Sequence, residues 1–133
     1  MSGGACTVRA VRGATQVDRD DAGEIREATR ELVASVLAAN DLDVESLVSV
    51  FFTMTPDLVA EFPALAAHEA GLTDVPMMCA VEIDVPGVMP RVIRMMAHVR
   101  TDRPASALRH RYLRGAAALR PEVVLAARSG STA

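Results

Sequence analysis

Lysine is missing altogether. All fourteen basic residues of this 133-residue chain are arginine. That excludes Schiff-base chemistry, a lysine general base and a Walker-type phosphate lysine. Arginine instead suits flat, bidentate recognition of carboxylates. Tryptophan is also missing, and there are one tyrosine and three phenylalanines, so the core has to be aliphatic. The two cysteines, Cys6 and Cys79, are too few and too far apart for a metal cluster or a disulfide framework. Reduced thiols in a cytoplasmic protein are the simplest reading. The first residues lack a basic region followed by an apolar run, so no signal peptide is expected. No apolar run reaches the roughly 18 residues that a bilayer span requires, which argues against a membrane. A formal charge of -3 gives no reason to expect nucleic acid or an anionic surface as partner.

What is present is half apolar, enough for one domain with a real core over residues 1–133, its ends at 1–5 and 126–133 expected to be loose. Cys6 to Arg12 alternates as a strand, and Gly13-Ala14-Thr15 is expected to end it. Arg12 then stands at a strand end, where by itself it reads as an ordinary surface arginine. Asp18, Asp20 and Asp21 offer caps for a helix running to about Ala39. Its apolar stripe is Ile25, Leu32, Val33, Val36 and Leu37, and its charged residues form a solvated face. Leu47 to Met54 is a nearly all-apolar strand, as expected when both faces are covered. Phe62-Pro63-Ala64 opens a short helix to about Ala70, with Pro63 at its first position and Gly71 as cap. Phe62 is either core or pocket wall.

Val75 to Arg100 reads as two strands joined by a turn at Asp84, Pro86 and Gly87. In the second, Val92, Arg94, Met96, His98 and Arg100 share one face, and Arg91, Ile93, Met95, Ala97 and Val99 the other. Arg94 is a charge in the middle of an apolar strand, and Glu82 is its counterpart near the end of the preceding one. Unpaired burial of either would cost several kcal/mol. Each therefore meets a partner, a ligand or water; a structural ion pair, or a place on a solvated sheet face, is the plainer of these readings. Farther on, Leu108 to Leu113 is compatible with a short final strand carrying Tyr112, and Gly115 to Leu119 with a helical turn stopped at Arg120-Pro121.

The order is strand, long helix, strand, short helix, strand, strand, short strand. It predicts an α+β fold: a mixed five-stranded β-sheet packed on one long and one short helix. One long helix cannot cover both faces, so the apolar strands predict burial of the second face against another subunit.

Several short motifs in this order carry a resemblance. They are Val11-Arg12-Gly13-Ala14-Thr15; Thr55-Pro56-Asp57-Leu58; Phe62-Pro63-Ala64; Val75-Pro76 with Cys79 and Glu82; Ile93-Arg94 with Met96; Thr101-Asp102; and Tyr112-Leu113 with Leu119-Arg120-Pro121. From about Val8 to Val123 the chain resembles the monofunctional α/β chorismate mutases, which are unrelated in fold to the all-helical ones. The resemblance implies a homotrimer with a barrel-like core, active sites at subunit interfaces, chorismate as small-molecule substrate and prephenate as product. It implies no metal and no cofactor. Arg12, Cys79, Glu82, Arg94 and Tyr112 fall on the family's substrate-contacting positions, Phe62 and Ala64 on positions supplied by a neighbouring subunit, and Leu119 and Arg120 on a segment that closes over the site. Leu65 and His68 stand where the family often has basic residues.

That reaction is an intramolecular [3,3] shift needing neither nucleophile nor proton transfer, and His68, His98 and His110 read as ordinary residues. The protein has to hold a flexible dianion in its compact conformation. It also has to stabilise charge growing on the ether oxygen, the role expected of Arg94. Arg12 is expected to bind a carboxylate and Tyr112 to donate a hydroxyl nearby. Glu82 is expected to accept from the substrate hydroxyl and orient Arg94 or Arg12, and Cys79 to supply backbone or thiol contacts beside it, where a small buried residue is the alternative. Similar interface-site trimers carry other functions, including imine deamination or small-molecule binding, because fold alone does not fix function.

Overall fold

The computed structural model describes residues 6–121. The loose ends expected at 1–5 and 126–133 lie outside them. Five strands form one sheet: β1 (Thr7–Gln16), β2 (Leu47–Met54), β3 (Met77–Val81), β4 (Val92–Thr101) and β5 (Arg111–Tyr112), in the spatial order β3-β2-β4-β1-β5. β4 is antiparallel to both β1 and β2, whereas β3 runs parallel to β2 and β5 parallel to β1. Two helices, α1 (Ala22–Ala39) and α2 (Pro63–Glu69), complete the α+β architecture. No helix among the described residues is long and apolar enough to cross a membrane.

α1 starts where its capping carboxylate stands. The Glu24 N–H donates to Asp21 at 2.9 Å, and the Glu24 carboxylate in turn accepts the Asp18 N–H at 2.7 Å. Ile25, Ala28, Thr29, Leu32, Val33 and Val36 are buried on one face. They pack on Val11, Val50, Phe52, Ile93, Met95 and Val99 from the near side of the sheet. α2 begins at Pro63, whose missing N–H would have been unsatisfied in a first turn anyway. Gly71, at φ +117°, turns the chain out of it.

Three expectations need correcting. Val75 to Arg100 is not a hairpin. β2 lies between β3 and β4, and the connection after Glu82 crosses over it. Alternation tells which face a residue takes but not which strand lies next door. Gly13-Ala14-Thr15 does not end β1, which continues to Gln16, so Arg12 lies mid-strand. The small residues serve helix packing instead: a β-carbon on Gly13 would come within 2.9 Å of Leu32 Cδ1 and 3.1 Å of Val36 Cγ2. Arg91 is not a strand residue either, since it has φ +54°, with its N–H held by the Asp57 carboxylate at 3.0 Å.

Among the described residues no α-helix covers the far side of the sheet. That side displays Val8, Phe51, Met78 and Met96, exposed by 57%, 42%, 63% and 37%. A large apolar display of this kind marks an interaction surface more often than free solvent.

Candidate active site

Register places the chemistry on that open face. Residues directly opposite in neighbouring strands share a face. One row therefore crosses the sheet as Ala80, Thr53, Arg94, Ala14 and Tyr112, with Glu82 two residues beyond Ala80 on the same side. A second row reads Met78, Phe51, Met96 and Arg12. Arg12, Gly13, Ala14, Phe51, Thr53, Arg94, Met96, His98 and Tyr112 line an open depression of about 470 Å³. Its walls are largely apolar and its polar groups few, as in ordinary small-molecule sites.

Glu82 and Arg94 meet across the central strand. The Arg94 Nε–H donates to the Glu82 carboxylate, at 3.2 Å from Oε1 and 3.1 Å from Oε2, while the Thr53 hydroxyl donates to Oε2 at 2.6 Å. The Glu82 N–H, bonded to the Met54 carbonyl at 2.9 Å, fixes the backbone beneath. Because Arg94 uses Nε, its two terminal nitrogens have no protein partner among the described residues. The pair is partly exposed, the Arg94 side chain by 45% and that of Glu82 by 18%. Exposed pairs contribute about 0–1 kcal/mol to stability. The arrangement aims a guanidinium more than it holds the fold.

Arg12 stands on β1 in register with Met96 of β4, whereas Tyr112 depends on β5, which has only two residues. Asn40, buried at the end of α1, clasps the approach to it: Asn40 Nδ2–H donates to the Arg109 carbonyl at 2.9 Å, and the Arg109 N–H donates to Asn40 Oδ1 at 2.7 Å. Arg111 Nε–H donates to the Ser35 hydroxyl at 2.9 Å. His110 Nδ1 accepts the backbone N–H of Arg12 at 2.9 Å. Burial, and then the charge of Arg12, hold the His110 imidazole below its usual pKa. Leu119 and Tyr112 pack on a small cluster of Ala14, Val92 and Ala116. Arg120 borders a second depression with Arg109, His110, Arg111 and Tyr112.

Phe62, Ala64 and Cys79 lie elsewhere. Cys79 is opposite Phe52 in register, so its side chain points to the helix side, away from Glu82. Burial raises its thiol pKa, with the Ala64 backbone N–H partly opposing, which keeps it a thiol. Within one chain this rules out the thiol contact expected beside Glu82, but not the backbone one. It shares an open hollow with Phe62, Ala64, Leu65 and His68. The nine expected residues thus divide. Arg12, Glu82, Arg94, Tyr112 and Leu119 gather around the open face, with Arg120 at its border; Phe62, Ala64 and Cys79 form a separate cluster.

The model of the type I chorismate mutase family matches residues 8–123. The chain belongs to this family. It is 47% identical to the chorismate mutase AroH of Thermus thermophilus over 117 residues, which are 87% of this chain and 96% of that protein. To the chorismate mutase AroH of Bacillus subtilis (strain 168) it is 40% identical over 119 residues, 89% and 94% of the two chains. A solved chorismate mutase from Clostridium thermocellum superposes with a TM-score of 0.81 at 43% identity, covering 82% of this chain and 97% of that one. As a type I chorismate mutase the chain is an isomerase. Within this family member, three residues around the depression escaped the reading of the sequence. Thr53 was hidden in an apolar strand, although it is the single hydroxyl in the FFTM run and shares parity with Phe51. Asn40 looked like a helix end and no more. His110 carried no signal by itself, because its role depends on which strand lies beside it.

Proposed function

We propose that this chorismate mutase converts chorismate to prephenate on the open face of its sheet, in a site completed by a neighbouring copy. The observation that carries the reading is the Glu82–Arg94 pair bridged over Thr53, with Arg94 lining the depression that Arg12 and Tyr112 also line. Glu82 fixes Arg94, and the free nitrogens of its fork meet the ether oxygen as the C–O bond lengthens. Arg12 takes a carboxylate, Tyr112 donates its hydroxyl, and the spare capacity of the Glu82 carboxylate accepts from the ring hydroxyl. Leu119 and Arg120 close the edge. With the substrate held compact, the six-centre shift needs only position and a preorganised charge. No group has to gain or lose a proton.

The second cluster supports an assembly of three chains in a barrel-like core. Cys79 faces away from Arg94 within one chain and Phe62 lines the same separate hollow, so both halves meet one substrate across an interface between copies. The apolar open face gives such an interface its area. Leu65 and His68, both exposed on α2, leave that half without a permanent cation, so the arginines of the open face bind the dianion. Two free thiols suit the cytoplasm.

The test is the loss of chorismate absorbance on adding purified protein, with prephenate identified as product. Arg94→Ala removes a transition-state donor worth about 3–4 kcal/mol, so kcat falls roughly 10²- to 10³-fold with the fold intact. A rate near wild type in that variant overturns the assignment. Refolding Arg94→Ala together with Phe62→Asp tests the shared site. An equal mixture regains activity in about one site in four overall if the halves come from different chains. No recovery overturns the interface.

A further inference from the structure

The segment that delivers Tyr112 has an unusual attachment. β5 pairs with β1 only at Gly13–Arg111 and Ala14–Tyr112, with the Leu113 N–H bonding the Ala14 carbonyl at 2.8 Å beyond its end. At the start of β5, the Arg12 N–H needs an acceptor. The nearby backbone carbonyl, that of Arg109, is taken by Asn40. The imidazole of His110 fills the gap at 2.9 Å. A side chain thus replaces the ladder bond that would otherwise begin the strand.

We infer that His110 is a positioning residue for the reaction: its neutral ring, accepting the Arg12 N–H at Nδ1, latches β5 to β1 so that Arg12 and Tyr112 face one substrate. This inference rests on the function proposed above. The latch works in one protonation state only. Nδ1 accepts when the proton sits on Nε2; in the imidazolium both nitrogens donate, and Nδ1–H would then confront the Arg12 N–H. The surroundings favour the neutral ring. The groups around it are Arg12 from β1, Arg109 and Arg111 from its own segment, Tyr112, and Arg120 after the final turn. α1 presents Ser35 and Asn40 to this segment. No carboxylate lines the depression beside His110 among the described residues.

Two effects of acid oppose each other. A charged ring adds a cation near a dianionic substrate and would lower KM. Loss of the latch misplaces Arg12 and Tyr112 and lowers kcat. Misplacement by about 1 Å can cost on the order of 100-fold, far more than a solvent-screened charge gains, so kcat should fall with acid.

The experiment compares kcat and KM between pH 8 and pH 5 for wild type, His110→Asn and His110→Leu, together with hydrogen exchange of the Arg12 amide. An asparagine Oδ1 lies where Nδ1 lies and does not titrate. The expected result is an acid limb in wild-type kcat. His110→Leu should lose about tenfold in kcat with no acid limb. His110→Asn should recover most of that loss and also lack the limb. A limb that persists in His110→Asn, or a wild-type kcat in His110→Leu, overturns the inference. The exchange measurement stands apart from turnover. The Arg12 amide should be protected in wild type and His110→Asn but fast in His110→Leu; equal exchange in all three removes the latch even if every protein is active. A wild type with a protected Arg12 amide but no turnover would instead reject the function and leave the latch standing.

Discussion

Replacing Gly13 by alanine asks whether the contact between β1 and α1 has room to spare. The new β-carbon would lie 2.9 Å from Leu32 Cδ1, 3.1 Å from Val36 Cγ2 and 3.4 Å from the Arg111 carbonyl oxygen. Carbon atoms prefer about 3.5–4.0 Å, so α1 would have to retreat by several tenths of an ångström. Leu32 and Val36 are both fully buried and cannot swing aside. Overpacking of this kind costs about 1–3 kcal/mol. Alanine also narrows the unfolded ensemble, which returns about 0.4–1 kcal/mol at a position of ordinary strand geometry. The clash therefore wins, by about 1–2 kcal/mol, and Tm should fall by roughly 4–10 °C for a domain of this size. Thermal melts followed by circular dichroism, at one fixed protein concentration, measure it. The second arm is Leu32→Ala, which alone should cost about 2–5 kcal/mol. Combined with Gly13→Ala it should cost clearly less than the sum, because the new methyl moves into the vacated space. A Tm that rises in Gly13→Ala, or strict additivity in the double variant, refutes the packing argument.

Thr15 is fully buried and its hydroxyl has no hydrogen-bond partner among the described residues, so Thr15→Val should raise stability by about 1 kcal/mol in urea titrations; a loss would mean that the hydroxyl is satisfied. Asn40→Ala strands the Arg109 N–H and carbonyl as well as the Val36 carbonyl, and should cost about 2–3 kcal/mol together with much of the activity, with an unchanged melt as the contrary result. Acid should destabilise the fold through Glu24 and Glu61. The Glu24 carboxyl is held below its ordinary value of 4.5 chiefly by the Asp18 N–H, and that of Glu61 by the Phe62 N–H with help from Arg26. Their contributions are fully present above that ordinary value and disappear as pH falls through the lower folded values. Glu24→Gln should therefore flatten the stability–pH curve on its acid side, and parallel curves for the two proteins would count against it.

Much of the fold could be read from local signals. The capping aspartates, of which Asp21 serves, and the apolar stripe place α1 correctly, and period-two alternation assigns Val92 to Arg100 of β4 to their faces, including Arg94 among apolar neighbours. Those signals work because they depend on residues a few positions apart. Pairing does not. Nothing within Val75 to Arg100 says that Leu47 to Met54 lies between its two strands, and the hairpin reading failed for that reason. The small residues after Arg12 were misread because glycine serves both turns and close helix contacts; the choice depends on α1, distant in sequence. Cys79 is a different case. It differs in parity from Glu82, so strand geometry alone already sets the two on opposite faces. Glu82 and Arg94 did pair on an open face, as the plainer reading of the sequence had it. The depression that Arg94 shares with Arg12 and Tyr112 became visible only with the strand order.

The insertion of β2 also sets the order in which the molecule can mature. A hairpin over residues 75–100, the pairing nearest in sequence, would shut β2 out of the sheet. Native pairing instead joins Val8 to Arg100 and Thr53 to Arg94, contacts between distant parts of the chain that form slowly. Only when β2 has entered does the Thr53 hydroxyl come under Glu82 and turn it toward Arg94. A trapped chain could hold both helices and most of its strands and still lack this triad, so the appearance of activity would time the last step of folding rather than the first.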